Sequence, residues 1–520
     1  MNTLLAPELG RGKGTGHIRR CLTLLHELQN AHLLVPEATE QSRGQDELGP
    51  LLDGIGDDRI VRDRGGTWDR VVLDRFSVTA AEVAQFGDAF TIGVDLGGSG
   101  RQLCSYLIDV FPRVDHSIAN TADVGFIPVP ESMSMTANAV GRFLVSFGGE
   151  DPACLTEAAV AALLSAGVEP TRMTVVEPAL RAVGALPPGI RVMKPVESLW
   201  PLMAEHEWVV SSFGLTAYEA AAAGRAVLII PASDYHRKLA DKAGFVCVRR
   251  VPTASMVRKV ISESSHAREQ SRRASAVHPR RMSEAIEALA APGRRGCPAH
   301  PGARGEALWR NEEKSYFRCP ICEIVYMERF VSDSAADGSL YESAYFFDAY
   351  AAQYGRTYLE DFDAIKAMGL RRLGVIRSLV KGSGALFDIG CAYGPFLSAA
   401  RQQGFVPYGI DVSSDAVAHV TETLGMHAES CSVYDADPKD LWGTGSFDVV
   451  TLWYVIEHMQ ELDVVLARLS EWVRPGGVLA LATPHLGGVS GRRRPGEFFA
   501  SSPPDHFTIW SRRSAVRLLR

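Results

Sequence analysis

Short unbroken apolar runs alternate with stretches of helical spacing along most of this chain. Nearly every run ends in glycine, serine or an acid. In the first half such runs stand at 4–7, 70–73, 90–94, 142–147, 173–176, 208–210 and 227–230. The run at 70–73 ends in Asp74, and 90–94 ends in Asp95-Leu96-Gly97-Gly98. The run at 142–147 ends in Gly148-Gly149-Glu150. After 4–7 comes a glycine-rich loop, Gly10 to Gly16, then His17 and a helix. Ile18, Cys21, Leu22, Leu25 and Leu28 share one face of that helix. Runs of this length, with no polar alternation, fit strands buried on both faces of a parallel sheet. Such sheets bind ligand at their carboxyl edge. The polar segment 120–138 reads as the connection between two of them.

The alternation resumes in the last third, with runs at 385–389, 407–410, 427–433, 446–453 and 478–482. The first ends in Asp388-Ile389-Gly390-Cys391-Ala392-Tyr393-Gly394. Gly390 and Gly394 permit a tight turn and a close backbone approach to a ligand. Pro395 suits a first helical turn, and Gly404 stops the helix. The second run ends in Asp411, an acid placed to take both hydroxyls of a ribose. The GxGxxG spacing is absent, so no pyrophosphate is implied.

Between these regions lie Cys297-Pro298-Ala299-His300 and Cys319-Pro320-Ile321-Cys322. Each pair has the spacing of a metal knuckle, and the Cys3His set suits a closed structural zinc site. The expected role is stability, not catalysis.

Composition narrows the classes. A chain of 520 residues calls for two to four domains. A net charge of −7 and no long basic run speak against nucleic acid as a partner. No apolar run approaches the length of a membrane span, and the N-terminus lacks the pattern of a signal peptide. The nine cysteines are scattered, which fits a reducing cytoplasm.

The segments DIGCAYG, GIDVS, FDVVTLWYVIEHM and RPGGVLALATP follow one another over 381–485. In that order they resemble the class I S-adenosylmethionine (SAM)-dependent methyltransferases. The resemblance implies a cofactor site at Asp388, Gly390, Ala392 and Gly394, with Asp411 on the ribose, Asp435 on the adenine and Trp453 lining the pocket. Glu457-His458 would stand where the acceptor enters. His458 is the first candidate for the base, His506 the second and Tyr345 the third. A zinc ribbon before such a domain resembles sugar methyltransferases of deoxysugar and surface-glycan pathways. The aromatic lead-in from Tyr341 to Tyr358 either covers the cofactor or packs a core.

GTGHIRRCLTL at 14–24, VSFGGEDP at 145–152 and SSFGLTAYEAAAAGRAVLIIP at 211–231 resemble the GT-B nucleotide-sugar family. They are most similar to the UDP-sugar hydrolases of pseudaminic acid synthesis. The resemblance implies that His17 is a general base at the anomeric carbon, beside the loop glycines Gly14 and Gly16. Gly148 and Gly149 would meet the diphosphate, as would Ser212, Gly214 and Thr216. Glu219 would hold the ribose. Asp234-Tyr235-His236 stands where the family carries an Asn-Gln pair, so hydrolase and transferase both stay open.

The expectation is therefore an α/β multidomain chain. Residues 1–138 and 139–292 would be Rossmann-like GT-B halves, 293–330 a zinc ribbon and 331–520 a class I methyltransferase. Because Arg512–Arg520 starts one helix and the chain stops, the expectation is either a truncated sequence or a last sheet that lacks its final two strands. The expected function is bifunctional sugar modification in the cytoplasm, with SAM and structural zinc, a UDP-linked nucleotide sugar and a sugar or glycan acceptor. The alternative is a non-catalytic nucleotide-sugar binding module joined to a methyltransferase acting on a small molecule or protein.

Overall fold

The computed structural model describes residues 1–9, 16–36, 52–63, 65–115, 117–127, 134–149, 151, 153–178, 181–196, 198–274, 279–293, 295–331, 350–380 and 382–519. The chain forms two compact units, Met1–Ala291 and Pro292–Arg520.

The first unit contains two parallel sheets. The strands of the first are β1 (Thr3–Pro7), β2 (Ala31–Leu34), β3 (Ile60–Val61), β4 (Arg70–Asp74), β5 (Phe90–Val94), β6 (Tyr106–Asp109) and β7 (Thr121–Ala122), in spatial order β3-β2-β1-β4-β5-β6-β7. β1, β4 and β5 are buried throughout, which is why their sequences are continuous apolar runs. The strand order reverses between β1 and β4, where Pro7 pairs with Asp74. A crevice at such a reversal is where open α/β sheets bind ligand. β7 falls within 120–138, so the expected connecting segment first completes this sheet.

The second sheet holds β8 (Phe143–Val145), β9 (Met173–Val176), β10 (Arg191–Met193), β11 (Trp208–Ser211), β12 (Ala226–Ile229) and β13 (Val246–Cys247). Its order is β10-β9-β8-β11-β12-β13, with the reversal between β8 and β11. Gly148-Gly149 follows β8 and Ser212 follows β11, so both loops leave the same reversal point.

The second unit begins with a hairpin of β14 (Gly296–Cys297) and β15 (His300–Pro301). An antiparallel sheet follows, made of β16 (Glu306–Arg310), β17 (Lys314–Arg318) and β18 (Val325–Arg329). A parallel sheet of β19 (Ala385–Ile389), β20 (Val406–Asp411), β21 (His427–Ser430), β22 (Phe447–Trp453) and β23 (Val473–Ala482) takes the order β21-β20-β19-β22-β23. Among the described residues it has five strands. After β23 the chain returns to the ribbon, where β24 (Thr508–Ile509) pairs antiparallel with β18. One core joins the two parts: Cys297, Phe317, Cys319, Cys322 and Tyr326 pack with Phe387, Phe447, Leu452 and Trp510. Among the described residues no helix is long and apolar enough to cross a membrane.

Candidate functional sites

His17 begins the helix Gly16–Glu27 directly after the loop that leaves β1. Its Nδ1 lies 2.6 Å from Asp74 Oδ1, at the tip of β4. Asp74 is fully buried and also accepts from Arg20 Nε and Nη2, both at 2.6 Å. Arg20 Nη1 donates to Asp95 Oδ2 at 2.7 Å. Burial alone would raise the Asp74 carboxyl, but Arg20 and His17 outweigh it and hold the group below its ordinary range. An ionised Asp74 can only accept, so the His17 Nδ1 carries a proton and donates it to Asp74. The Phe76 ring packs edge-on against the imidazole, with ring centroids 4.5 Å apart.

Gly16 has Leu215 as its neighbour across the two sheets of this unit. Gly148 is exposed at a φ of 81°, Gly149 is half-buried, and Ser212, Gly214 and Thr216 are half-buried around the start of the helix Leu215–Ala222. Glu219 lies in that helix, raised by burial, with Trp200 and the Arg19 charge close by. Gly14 lies outside the described residues, as does Tyr345 in the second unit.

In the ribbon, Cys297 Sγ is 3.8 Å from Cys322 Sγ and 3.6 Å from His300 Nδ1. Cys319 Sγ is 3.8 Å from the same nitrogen. Zinc bonds of about 2.3 Å to sulfur and about 2.0–2.1 Å to nitrogen, at tetrahedral angles, imply edges of about 3.8 and about 3.6 Å. The residues present fit the ion. The Ile321 backbone N–H, 3.4 Å from Cys319 Sγ, adds the sulfur-directed bond of a metal knuckle.

At the reversal between β19 and β22 the loop takes left-handed conformations at Gly390 (φ 74°), Ala392 (φ 45°) and Gly394 (φ 79°). A Cβ on Gly390 would come within 2.4 Å of Val455, so both conformation and space require glycine there. Ala392 N–H donates to Asp411 Oδ2 at 2.8 Å, and Ser413 N–H donates to Oδ1 at 2.9 Å. Asp411 is thereby fixed at the tip of β20, its carboxyl raised by burial. Asp388 is almost fully buried and accepts from the Thr451 hydroxyl at 2.5 Å. Burial, reinforced by the Asp411 charge, pushes its carboxyl up to about 8. Tyr358 lies beside these carboxylates, its ring 6.2 Å from Tyr393 and 5.2 Å from Tyr350. The described part of the aromatic lead-in thus lies against the loop.

Asp435 is exposed on the turn after β21. Trp453 ends β22, its ring 5.0 Å from Phe396 and 4.2 Å below the Arg372 guanidinium.

Just beyond Val455, Ile456–His458 forms a single 3-10 turn. Glu457 is fully buried, and neither carboxylate oxygen has a hydrogen-bond partner. Thr483 lies beside it without a bond of normal geometry. Burial pushes the Glu457 carboxyl up to about 7. His458 Nδ1 stands 3.2 Å from Asp505 Oδ2 and 3.1 Å from the Asp505 carbonyl oxygen. Burial disfavours the charged His458 ring, but Asp505 outweighs it and raises the pKa. The His506 ring meets the His458 ring edge-on at 4.7 Å, and its Nδ1 is buried without a partner. Burial and the His458 charge lower His506 to about 4. β24 holds this loop: Met327 N–H donates to the Phe507 carbonyl at 2.9 Å.

Residues 369–520 match the family described as "Methyltransferase domain". That segment is a class I SAM-dependent methyltransferase domain.

Among curated proteins, a ubiquinone biosynthesis O-methyltransferase of Mesorhizobium japonicum is 32% identical over 103 residues, covering 19% of this chain and 40% of that protein. The biotin biosynthesis bifunctional protein BioCD of Bordetella avium is 27% identical over 139 residues, covering 26% of this chain and 29% of that protein. The chain thus spans well under half the length of these relatives. Among solved structures, the spinosyn rhamnosyltransferase SpnG aligns over 55% of this chain and 99% of its own, at 15% identity and a TM-score of 0.37.

The methyltransferase domain includes residues that the sequence patterns did not single out. Thr451 holds Asp388, Asp505 holds His458, and Arg372 covers Trp453. In the first unit the same is true of Arg20, and of the roles of Asp74 and Asp95. The available signal was position. Asp74 and Asp95 end neighbouring strands of one parallel sheet, where acids converge on the carboxyl edge.

Proposed function

We propose that the methyltransferase domain binds SAM across Gly390–Gly394 and Asp411 and methylates an oxygen or carbon of a sugar-like acceptor at Glu457, His458 and His506. The observation that supports this most is the convergence of Gly390, Asp411 and Glu457-His458 on the carboxyl edge of β19, β20 and β22, with Val455 packed on Gly390. SAM supplies a methyl group already activated on a sulfonium. What remains is to align the acceptor and let its proton leave. Asp411 holds the ribose, while Asp435 stands on the adenine side. The Arg372 guanidinium lies over the tip of β22, where it can reach the carboxylate of the methionine portion. Asp505 orients His458 toward the acceptor.

In the first unit, the His17–Asp74 pair serves as the base of a nucleotide-sugar hydrolase or transferase. Gly16, Gly148, Gly149, Ser212, Gly214, Thr216 and Glu219 form the nucleotide side, and the ribbon binds zinc. A second reading of the acceptor, a phenolic small molecule, draws on the name of the ubiquinone-pathway relative.

Mass spectrometry of products from methyl-labelled SAM tests the two against each other. Label on a nucleotide sugar or glycan supports the first reading, and label only on phenols supports the second. Asp411→Asn removes a charged acceptor worth about 1.5–3 kcal/mol, so SAM affinity should fall roughly 10- to 100-fold by calorimetry. Unchanged affinity would remove the cofactor assignment.

A further inference from the structure

The acceptor end of the methyltransferase domain contains a feature that proton transfer alone leaves unexplained. Glu457 is completely buried, yet neither carboxylate oxygen is hydrogen-bonded. His506 Nδ1 is likewise buried without a partner. One donor atom from each of Glu457, His458 and His506 lies within 4.8 Å of the other two. Leaving such groups unpaired costs on the order of 1–3 kcal/mol each, more for a charged one, unless something occupies the space between them.

We propose that Glu457, His458 and His506 form a site for a divalent first-row cation, separate from the ribbon zinc, that holds two neighbouring oxygens of the acceptor. This rests on the reading above that the acceptor enters here.

The donor set is two imidazoles and one carboxylate, an arrangement that occupies one face of a metal and leaves the opposite positions open. His458 has the surroundings expected of a ligand: Asp505 Oδ2 stands 3.2 Å from its Nδ1, and a carboxylate behind a ligating histidine fixes both tautomer and orientation. The three side chains come from two segments, the turn after β22 and the loop before β24. The Cys3His set favours a soft, closed zinc site, whereas this oxygen–nitrogen set also accepts harder cations such as Mn2+. Two vacant neighbouring positions suit an acceptor with a vicinal diol or an α-hydroxyketone.

In an O-methylation, the acceptor hydroxyl bound to the cation loses its proton to water. Its oxygen then forms the bond to the methyl carbon as the carbon–sulfur bond breaks, and S-adenosylhomocysteine leaves. The histidines in this arrangement hold the cation and do not take the proton. Asp505 is a positioning residue.

The test is Mn2+ titration of the full chain with its ribbon zinc loaded, followed by electron paramagnetic resonance, with SAM affinity measured on the same samples. Wild type should bind one Mn2+ per chain. Glu457→Gln and His506→Ala should weaken Mn2+ binding by more than tenfold, and Asp505→Asn by about 10- to 100-fold. SAM affinity should be retained in all three, which also reports that they fold. Wild-type protein that binds SAM but no Mn2+, or Mn2+ affinity untouched by the variants, overturns the proposal. Failure of wild type to bind SAM overturns the proposed function instead.

Discussion

Asp388 shows how a buried acid can be set by its surroundings. It is 1% exposed, with Asp411 close by and the Thr451 hydroxyl donating to it. Its folded pKa of about 8 lies above the unfolded value of about 3.9. A raised carboxyl binds more protons in the folded state than in the unfolded one. Its contribution to stability is therefore complete below about pH 4 and is lost as pH rises through about 8. Asparagine has nearly the same shape, can still accept from Thr451 and does not titrate. Urea midpoints of the 292–520 unit at pH 5 and pH 8 should therefore differ less in Asp388→Asn than in wild type. Equal differences would show that Asp388 is already ionised in the folded protein. At this scale the sequence revealed the acid at the strand tip but not its hydroxyl partner. Thr451 stands on a different strand, and only the register of β19 with β22 brings the two together.

Among the elements, buried parallel strands were the most legible. Continuous apolar runs mark them, and the run at 385–389 coincides with β19. The run at 427–433 outlasts its strand, which ends at Ser430. Residues after Ser430 leave the ladder, and the Ser432 hydroxyl accepts from Tyr434 N–H in a turn. Pairing between distant short strands was not legible at all. β24 has two residues, far too few for a periodic signal, yet it completes the ribbon sheet beside β18.

That pairing gives the ribbon a mechanical consequence. Cys319 and Cys322 lie in the turn between β17 and β18, β18 holds β24, and β24 begins two residues after His506. Lys314 Nζ also donates to the Ser502 carbonyl at 2.6 Å. If the Cys3His set holds zinc as proposed, its loss should loosen residues 502–510 as well as 314–329. Metal-site binding energy is folding energy in small modules of this kind. Cys319→Ser is a better probe than a chelator, which would also strip a cation from Glu457, His458 and His506. Hydrogen exchange should rise in both segments of the variant, and methyl transfer should fall further than SAM affinity. Faster exchange in the ribbon alone would mean that β24 holds its place without the metal.

For the whole molecule, the decisive fact is that each unit contains its own described candidate groups. His17, Asp74, Arg20 and Asp95 all belong to Met1–Ala291, and the groups assigned to SAM, acceptor and zinc all belong to Pro292–Arg520. Each unit also has its own buried cores. A domain with its own core can in principle fold alone. Residues 1–291 and 292–520, produced separately, should each unfold cooperatively, and the second should bind SAM with the affinity of the full chain. His17→Ala in the full chain should abolish release of nucleoside diphosphate from a sugar nucleotide, a loss of about 100-fold or more for a general base. It should leave SAM binding and methyl transfer to a supplied acceptor unchanged. If His17→Ala lowers both activities together, the two sites are coupled and the bifunctional reading needs a shared intermediate. If wild type releases no nucleoside diphosphate across a panel of sugar nucleotides while still binding them, the first unit is a binding module that recruits the acceptor. Its His17–Asp74 pair then recognises ligand rather than activating water.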